Sequence, residues 1–272
     1  MENSYLVAIC IPSYNHPDYL VRLLTSIQLQ TYSRYVICIT DNTRSDCLEK
    51  IVKEYADPRI IYIHNEENVG AVNNVNRCIK LALNQDVDLI KIMFQDDWFT
   101  QKESLARMVE KLAYESADVV FSANYEVYSS GEIVYRKAAK NFLSEQSKDL
   151  SAIYRTNQLG APSNLLYRAE DIYFDINYTW LMDVDFYLRL LNNKRMVYDT
   201  RPNICIGHDG DQLSDYYYRK PFKVLKETCG LYNKYNWLHN NKNRKYIIFT
   251  AASVFWKLGK KYINIFKSFI IK

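Results

Sequence analysis

Several things are missing from this 272-residue sequence, and each absence removes a class of protein. No GxGxxG follows the first β-rich run and no GxxxxGK[ST] occurs anywhere, which disfavours a dinucleotide-binding fold and a P-loop NTPase. The six cysteines, Cys10, Cys38, Cys47, Cys78, Cys205 and Cys229, form no CxxC pair, and several sit inside apolar runs. That pattern predicts reduced core thiols, not a disulfide framework or a zinc site. The N-terminus shows no basic leader followed by an apolar stretch, so no signal peptide is expected. There is no internal repeat, no low-complexity linker and no acidic residue after Glu227.

What is present is ordinary globular material. Hydrophobic residues make up 48% and charged residues 24%, enough for one large domain, or a domain and an extension, with a substantial core. The 24 tyrosines suit either packing or a surface that meets sugars, since the ring offers an apolar face and a polar tip. Net charge is only +4 but is unevenly placed. Residues 215–272 carry 13 Lys/Arg against two acids, a balance of +11, while residues 1–214 stand at −7. An acidic body with a basic tail points to an anionic partner, a membrane surface or a nucleic acid.

Along the first half, β-rich runs alternate with helical patterns. Tyr5–Ile11, Tyr35–Thr40, Ile60–His64, Leu89–Phe94 and Asp118–Ala123 read as strands. Asp18–Gln30, Val69–Leu83 and Gln101–Glu115 read as helices, the first with Leu20, Leu23, Leu24 and Ile27 on one stripe. Strand–helix alternation with nearly continuous apolar strands predicts an α/β domain with a mostly parallel sheet covered on both faces. Further on, Trp180–Leu191 reads as a helix, Met196–Tyr198 and Asn203–Gly207 as short strands, and the chain from Pro221 onward as basic and helical.

Such sheets bind ligands beyond the carboxyl ends of their strands, so the residues there are the candidates. Asp96 and Asp97 directly follow a strand. Adjacent carboxylates repel unless a cation or hydrogen-bond donors compensate, and hard oxygen ligands suit Mn²⁺ or Mg²⁺; the plainer reading is an acid pair at a helix start. Asp41 ends the second strand, placed either for a nucleobase or for an Asx turn in Asp-Asn-Thr. Asp183 and Asp185 lie in an otherwise apolar helix, where an acid needs a partner or a cleft. Arg189 lies four residues after Asp185 and explains that acid as an ion pair, leaving Asp183 unexplained. His208, Gln212 and Ser214 sit in a polar turn after a strand.

As an ordered set these segments resemble the family 2 inverting glycosyltransferases, which have the GT-A fold. The likeness runs through VAICIPSYNHPDYLVRLLTSIQLQTYSRYVICITDN, NVGAVNNVNRCIKLA, LIKIMFQDDW, GAPSNLLYR, WLMDVDFYLRLL and HDGDQLS, spanning about residues 5–215. It implies a GT-A domain over 1–215, with a nucleotide-binding part to about 125 and an acceptor-binding part over 126–215, followed by a basic helical extension, 216–272. It implies transfer of a sugar from a nucleotide-sugar, by default a UDP-sugar, to a glycan or lipid-linked acceptor in surface-polysaccharide synthesis. Pro12, Tyr14, Asn15, Asp41, Asn68, Gly70, Asn76 and Asp96 would meet the nucleotide. Asp96, Asp97 and His208 would meet Mn²⁺ or Mg²⁺, and Asp183 would be the base. The chain departs from the family pattern at Phe94, where the first Asp of DxD is usual, at Met182, where a Glu often precedes the base, and at Val75, where an Arg is common.

The tail bears on location. The apolar stretch Tyr246–Trp256 is too short to span a bilayer, and Ile263, Phe266, Phe269 and Ile270 fall on one face flanked by lysines. That pattern predicts a cytoplasmic enzyme peripheral on the inner face of the cell membrane, held by anionic lipid, against the alternatives of a helix packed on the domain or a homodimer contact. Helical apolar spacing argues against nucleic acid. A nucleotidyltransferase and an inactive relative are the competing readings; the first would want a Gly- and basic-rich loop where Ser13-Tyr14-Asn15-His16 stands.

Overall fold

The computed structural model of the protein describes residues 5–209 and 220–252. A nine-stranded sheet runs through it in the order β3-β2-β1-β4-β8-β6-β9-β5, with β7 paired to β6. Four strands come first: β1 (Val7–Ser13), β2 (Tyr35–Asp41), β3 (Ile60–His64) and β4 (Leu89–Ile92). They pair in parallel, as their near-continuous apolar character predicts. β6 (Val119–Tyr128) and β9 (Met196–His208) are also parallel, whereas β5 (Trp98–Phe99), β7 (Ile133–Arg136) and β8 (Leu165–Arg168) join antiparallel. The two short strands expected near residues 196–207 are thus one long strand. Its register slips where Ala123 pairs with Pro202 directly after Ser122 pairs with Asp199. Pro202 brings no N–H to a ladder, and Asp199 accepts from the Arg201 N–H, so a bulge takes up the difference.

Strand side chains alternate between two cores. In β1, Ala8 and Cys10 face one cluster while Val7, Ile9 and Ile11 face the other, all at 0% exposure. The second cluster is closed by α1 (Pro17–Gln28) and α4 (Ser104–Tyr114). Pro17, with its preset φ, opens α1 just after Asn15 and His16 adopt positive φ. The predicted stripe Leu20, Leu23, Leu24, Ile27 is fully buried, worth about 1.5–3 kcal/mol for each such side chain. The first cluster is covered by α3 (Ala71–Leu83), α5 (Lys140–Gln146), α6 (Ser151–Arg155), α7 (Met182–Leu190) and α8 (Pro221–Lys234). Helix α2 (Cys47–Tyr55) packs beside α1 and β3 and was not evident in the sequence.

All six cysteines are free, and Cys10, Cys38 and Cys78 are buried together, Cys78 Sγ lying 3.0 Å from the Cys38 carbonyl. The boundary expected at 215/216 falls in 210–219, outside the described residues, as do Gln212, Ser214 and the face formed by Ile263, Phe266, Phe269 and Ile270. The described part of the basic segment packs on the body: Leu231 and Leu238 are fully buried in the first core.

Candidate active site

The strand ends on the β1–β4 side are tied together by amides. Gln95, after β4, accepts the Tyr14 N–H (2.8 Å) and donates to the carbonyls of Asn15 (2.7 Å) and His16 (2.8 Å). The Thr43 hydroxyl accepts the Asn15 N–H at 2.7 Å. These bonds hold two successive left-handed residues, Asn15 (φ 53°) and His16 (φ 51°), in a conformation that needs outside support. The result is a fixed loop that leaves the Tyr14 ring 51% exposed beside Pro12. Asn74 donates to the carbonyls of Ser13 and Thr40, and Asn65 donates to Asn42 and Asn74, linking β1, β2 and β3 behind that loop.

Asp41 ends β2 as expected, yet it is fully buried. Tyr62 donates its hydroxyl to Oδ2 (2.7 Å) and Thr43 its N–H to Oδ1 (2.7 Å), so both oxygens of this carboxylate are already engaged within the protein. Asn68 accepts the Gly70 N–H at 2.9 Å, and Gly70 turns the chain into α3 at φ 84°, a region open to glycine at little cost. Asn76 occupies a different position from the strand-end residues: both ends of its amide bond the Phe174 backbone at 2.8 Å, so it fastens the 170s segment to α3. Its neighbour Arg77 reaches Asn65 Oδ1 (2.7 Å), and both residues line, with Glu67, Val69, Asn73, Lys80 and Tyr173, a cavity of about 490 Å³.

The Asp96-Asp97 turn is asymmetric. Asp97 is 2% exposed; its Oδ1 accepts the Gly207 N–H (3.2 Å), and Ser163 donates its hydroxyl. Burial first, and the Asp96 charge next, push the Asp97 carboxyl well above the usual carboxylate range, with Ser163, Gly207 and Lys91 opposing. Lys91 is itself fully buried, which lowers its ammonium to about 7, and it donates to the Ser163 carbonyl. Asp96 is partly exposed. Its backbone carbonyl accepts Arg22 Nη2 at 2.7 Å, and Arg22 also pairs with Asp209 (3.3 Å) while lying 4.0 Å over the Trp98 ring.

Strand β9 runs hard against this turn. A Cβ added to Gly207 would lie 2.4 Å from the Asp96 carbonyl oxygen, so only glycine permits the approach. The next residue, His208, stacks on Tyr128 with ring centroids 4.5 Å apart, and its buried Nε2 has no hydrogen-bond partner. The partnerless imidazole nitrogen of His208 and the partly exposed carboxylate of Asp96 are the chemical types of ligand that a divalent cation takes. Among the described residues no group of three His, Cys, Asp or Glu is placed to hold a metal alone. A cation here would therefore take its remaining ligands from phosphate oxygens and water, as Mg²⁺ and Mn²⁺ commonly do.

Asp183 enters from the other half of the chain. It sits in the first turn of α7 with Asn157 Nδ2 donating to Oδ2 (2.7 Å) and the Val184 N–H to Oδ1 (2.8 Å). Burial pushes it up to about 6, and the two donors hold the rise in check. Asp185, by contrast, is fully buried and paired: Arg189 grips Oδ2 at 2.7 and 2.9 Å, while Lys234 (2.6 Å) and Tyr235 (2.9 Å) take Oδ1. The segment from Asn157 to Ser163 joins the two halves, touching Asp183 at one end and Asp97 at the other. Gly160 (φ 82°) lets it turn, where a Cβ would lie 2.4 Å from Asn164 Nδ2. Gln95 was among the strand-end residues that the sequence points to, whereas Asn157, Ser163, Lys91 and Arg22 escaped the sequence reading. Lys91, a charge inside a buried strand, was the one with a visible signal.

The family described as Glycosyl transferase family 2 matches residues 8–188, and the chain belongs to it. It is 26% identical over 260 residues to "Putative colanic acid biosynthesis glycosyl transferase WcaA" of Escherichia coli K12, covering 93% of this chain and 90% of that one. It is 29% identical over 133 residues to the UDP-Glc:alpha-D-GlcNAc-diphosphoundecaprenol beta-1,3-glucosyltransferase WfgD of Escherichia coli, covering 48% of this chain and 50% of that one. Among solved structures, residues 1–349 of S. aureus TarS in complex with UDP superpose with a TM-score of 0.63 at 18% identity, over 86% of this chain and 66% of that one. These likenesses bear out the GT-A-type fold and the glycosyltransferase reading, and they displace the nucleotidyltransferase alternative.

Proposed function

We propose that this enzyme moves a sugar from a UDP-sugar to a hydroxyl of a glycan or lipid-linked glycan with inversion, and that Asp183 is its base. One observation carries the reading: a carboxyl raised to about 6 stands in the first turn of α7, joined through Asn157–Ser163 to the acid turn of the donor side. A base near neutrality matches the task, because an acceptor hydroxyl is a poor nucleophile until its proton is taken. Asn157 and Val184 occupy one lone pair on each Asp183 oxygen and leave another for the incoming hydroxyl. As Asp183 takes that proton, the acceptor oxygen bonds the anomeric carbon and the bond to the diphosphate breaks on the opposite face. The UDP-Glc in the name of one related protein supports uracil as the nucleobase of the donor.

On the donor side, Pro12, Tyr14 and Asn15 offer the fixed loop, Asn68 and Gly70 the start of α3, and Asp41 a carboxylate under Tyr62. Asp96 and His208 are the groups that fit Mn²⁺ or Mg²⁺, and Asp97 braces the turn from inside. A bound divalent cation would supply positive charge to the departing diphosphate. The test is a thermal-shift panel of UDP, GDP, CDP and dTDP with and without Mn²⁺. A shift for UDP that needs both the cation and Asp96 supports the reading; a metal-independent shift in Asp96→Asn would remove the cation from it.

The same reading extends to location. No described helix is long and apolar enough to cross a membrane. The helical residues 241–252 expose Lys242, Arg244 and Lys245 together with Ile248 (60%) and Phe249 (73%), a basic and apolar surface suited to anionic lipid. Cosedimentation with phosphatidylglycerol vesicles at low salt, lost in Ile248→Ser/Phe249→Ser, is the expected result; equal recovery with neutral vesicles at any salt would exclude it.

A further inference from the structure

Helix α7 begins without a cap of its own. Leu181 occupies the N-cap position and offers no side-chain acceptor to the open N–H groups of that end. The acceptor comes from far along the chain. Glu227, in α8, places Oε2 at 3.1 Å from the Thr179 nitrogen, 2.8 Å from that of Trp180 and 3.0 Å from that of Leu181. Three consecutive N–H groups thus donate to one carboxylate oxygen. Four residues past Leu181, Asp185 receives Lys234 and Tyr235 from the other end of α8 and just beyond it. The first turn of α7 is therefore held at both its ends by one helix, and Asp183 is the residue between. Helix α8 is in turn seated on the body by Leu231, and by the Tyr154 hydroxyl, which donates to the Thr228 carbonyl at 2.9 Å.

We infer that Glu227 is a positioning residue for Asp183: α8 acts as a clamp that sets the direction in which α7 presents its carboxylate to the acceptor. This rests on Asp183 being the base. Three charge-assisted bonds to successive peptide N–H groups fix the orientation of those peptide planes, and with them the entry of the helix. The Asp183 Cα–Cβ direction follows from that entry, as do its bonds to Asn157 and Val184 at 2.7 and 2.8 Å. A base displaced by about 1 Å loses on the order of 10²-fold in rate, because proton transfer depends on aligned, short contacts. The bonds of Glu227, Lys234 and Tyr235 go to the entry of α7, to Asp185 and to Asp175, so nucleotide affinity should not follow the base.

The experiment measures kcat with a sugar acceptor and, separately, the Kd for UDP, in the full chain and in Glu227→Gln, Glu227→Asp and Glu227→Ala, with Lys226→Ala as an exposed control on the same helix. Glu227→Gln keeps an oxygen that can accept the three N–H groups, Glu227→Asp retreats by one methylene and Glu227→Ala removes the acceptor. The expected order of kcat is wild type, Gln, Asp, Ala, with Ala down at least tenfold, UDP Kd unchanged within twofold and Lys226→Ala equal to wild type. If Glu227→Ala does not fold, the Gln and Asp variants carry the comparison. Equal kcat in every folded variant, or kcat and UDP affinity falling together, overturns the positioning role. Asp183→Asn is run alongside: if it is inactive while Glu227→Ala keeps full kcat, positioning alone fails, whereas an active Asp183→Asn removes the base and the inference with it.

Discussion

The donor side and the base side of this site are built by different means. Around Pro12, Tyr14, Asp96 and Asp97, the proposed donor-side residues lie at or just after the ends of parallel strands and are held by neighbouring strand ends through Gln95, Asn74 and Asn65. Around Asp183, support comes from Asn157, 26 residues earlier, and Glu227, 46 residues after Leu181. A strand end is positioned by its sheet register, which one-residue slips would destroy. A helix terminus has no such register and is placed by whatever meets its open N–H groups. The first kind of site is rigid by topology, the second by side-chain contacts that a single substitution removes.

The largest effect should come from the base itself. Asp183→Asn is expected to lower kcat by roughly 10²–10⁴-fold, the usual share of a positioned base, while UDP binding in a thermal-shift assay stays as in wild type. Its melting temperature should hold or rise. A carboxyl lifted from 3.8 to about 6 binds its proton more readily folded than unfolded, so its charge detracts from stability at pH above that window. Full turnover in Asp183→Asn would sink the assignment and, with it, the division between the two sides.

Next in size are the two acids of the turn, which the comparison says should part company. Asp96→Asn should abolish the Mn²⁺-dependent UDP shift and leave the melting temperature of the free protein nearly unchanged, since the side chain is partly exposed. Asp97→Ala leaves the buried Gly207 N–H without its acceptor and should cost about 1–3 kcal/mol of stability by denaturant titration. If Asp97→Ala proved as stable as wild type and Asp96→Asn did not, their roles would be exchanged. Gly207→Ala tests the same joint from β9. Its Cβ would meet the Asp96 carbonyl at 2.4 Å, so the turn must shift and both the UDP shift and stability should fall, the latter by about 1–3 kcal/mol.

The contrast also explains what the sequence made visible. The stripe Leu20, Leu23, Leu24, Ile27 and the strands around Ile9, Ile37 and Ile90 follow periodicity, and they come out where expected. Strand-end acids were legible because topology assigns ligands to that edge. The Asp185–Arg189 pair was legible because its spacing lies within one helix. Glu227, Asn157 and Ser163 were not, because their partners lie tens of residues away and no local pattern encodes the approach. Asn76 shows the same limit in reverse: expected at the nucleotide from its motif, it spends its amide on Phe174, 98 residues on. Strand β8 lay inside the quoted GAPSNLLYR segment, but four residues next to a Pro-led turn give no period to read.

The smallest predicted effect is a pH dependence that separates the two sides within one enzyme. Asp183 must be ionised to accept a proton, and its carboxyl is raised to about 6, so log kcat should fall with decreasing pH below about 6 and level above it. In the proposed division of roles UDP and Mn²⁺ meet the donor side rather than Asp183, so their binding should keep no inflection there. Asn157→Ala removes one of the two donors that stabilise the Asp183 carboxylate, so the acid limb should move to higher pH, by less than one unit for a single neutral hydrogen bond of about 1 kcal/mol. The sign is the informative part. Loss of a donor to the charged form raises the pKa, so an acid limb that moved to lower pH would mean that Asn157 does not bond the ionised base, and the two halves of the site would lose the segment that joins them.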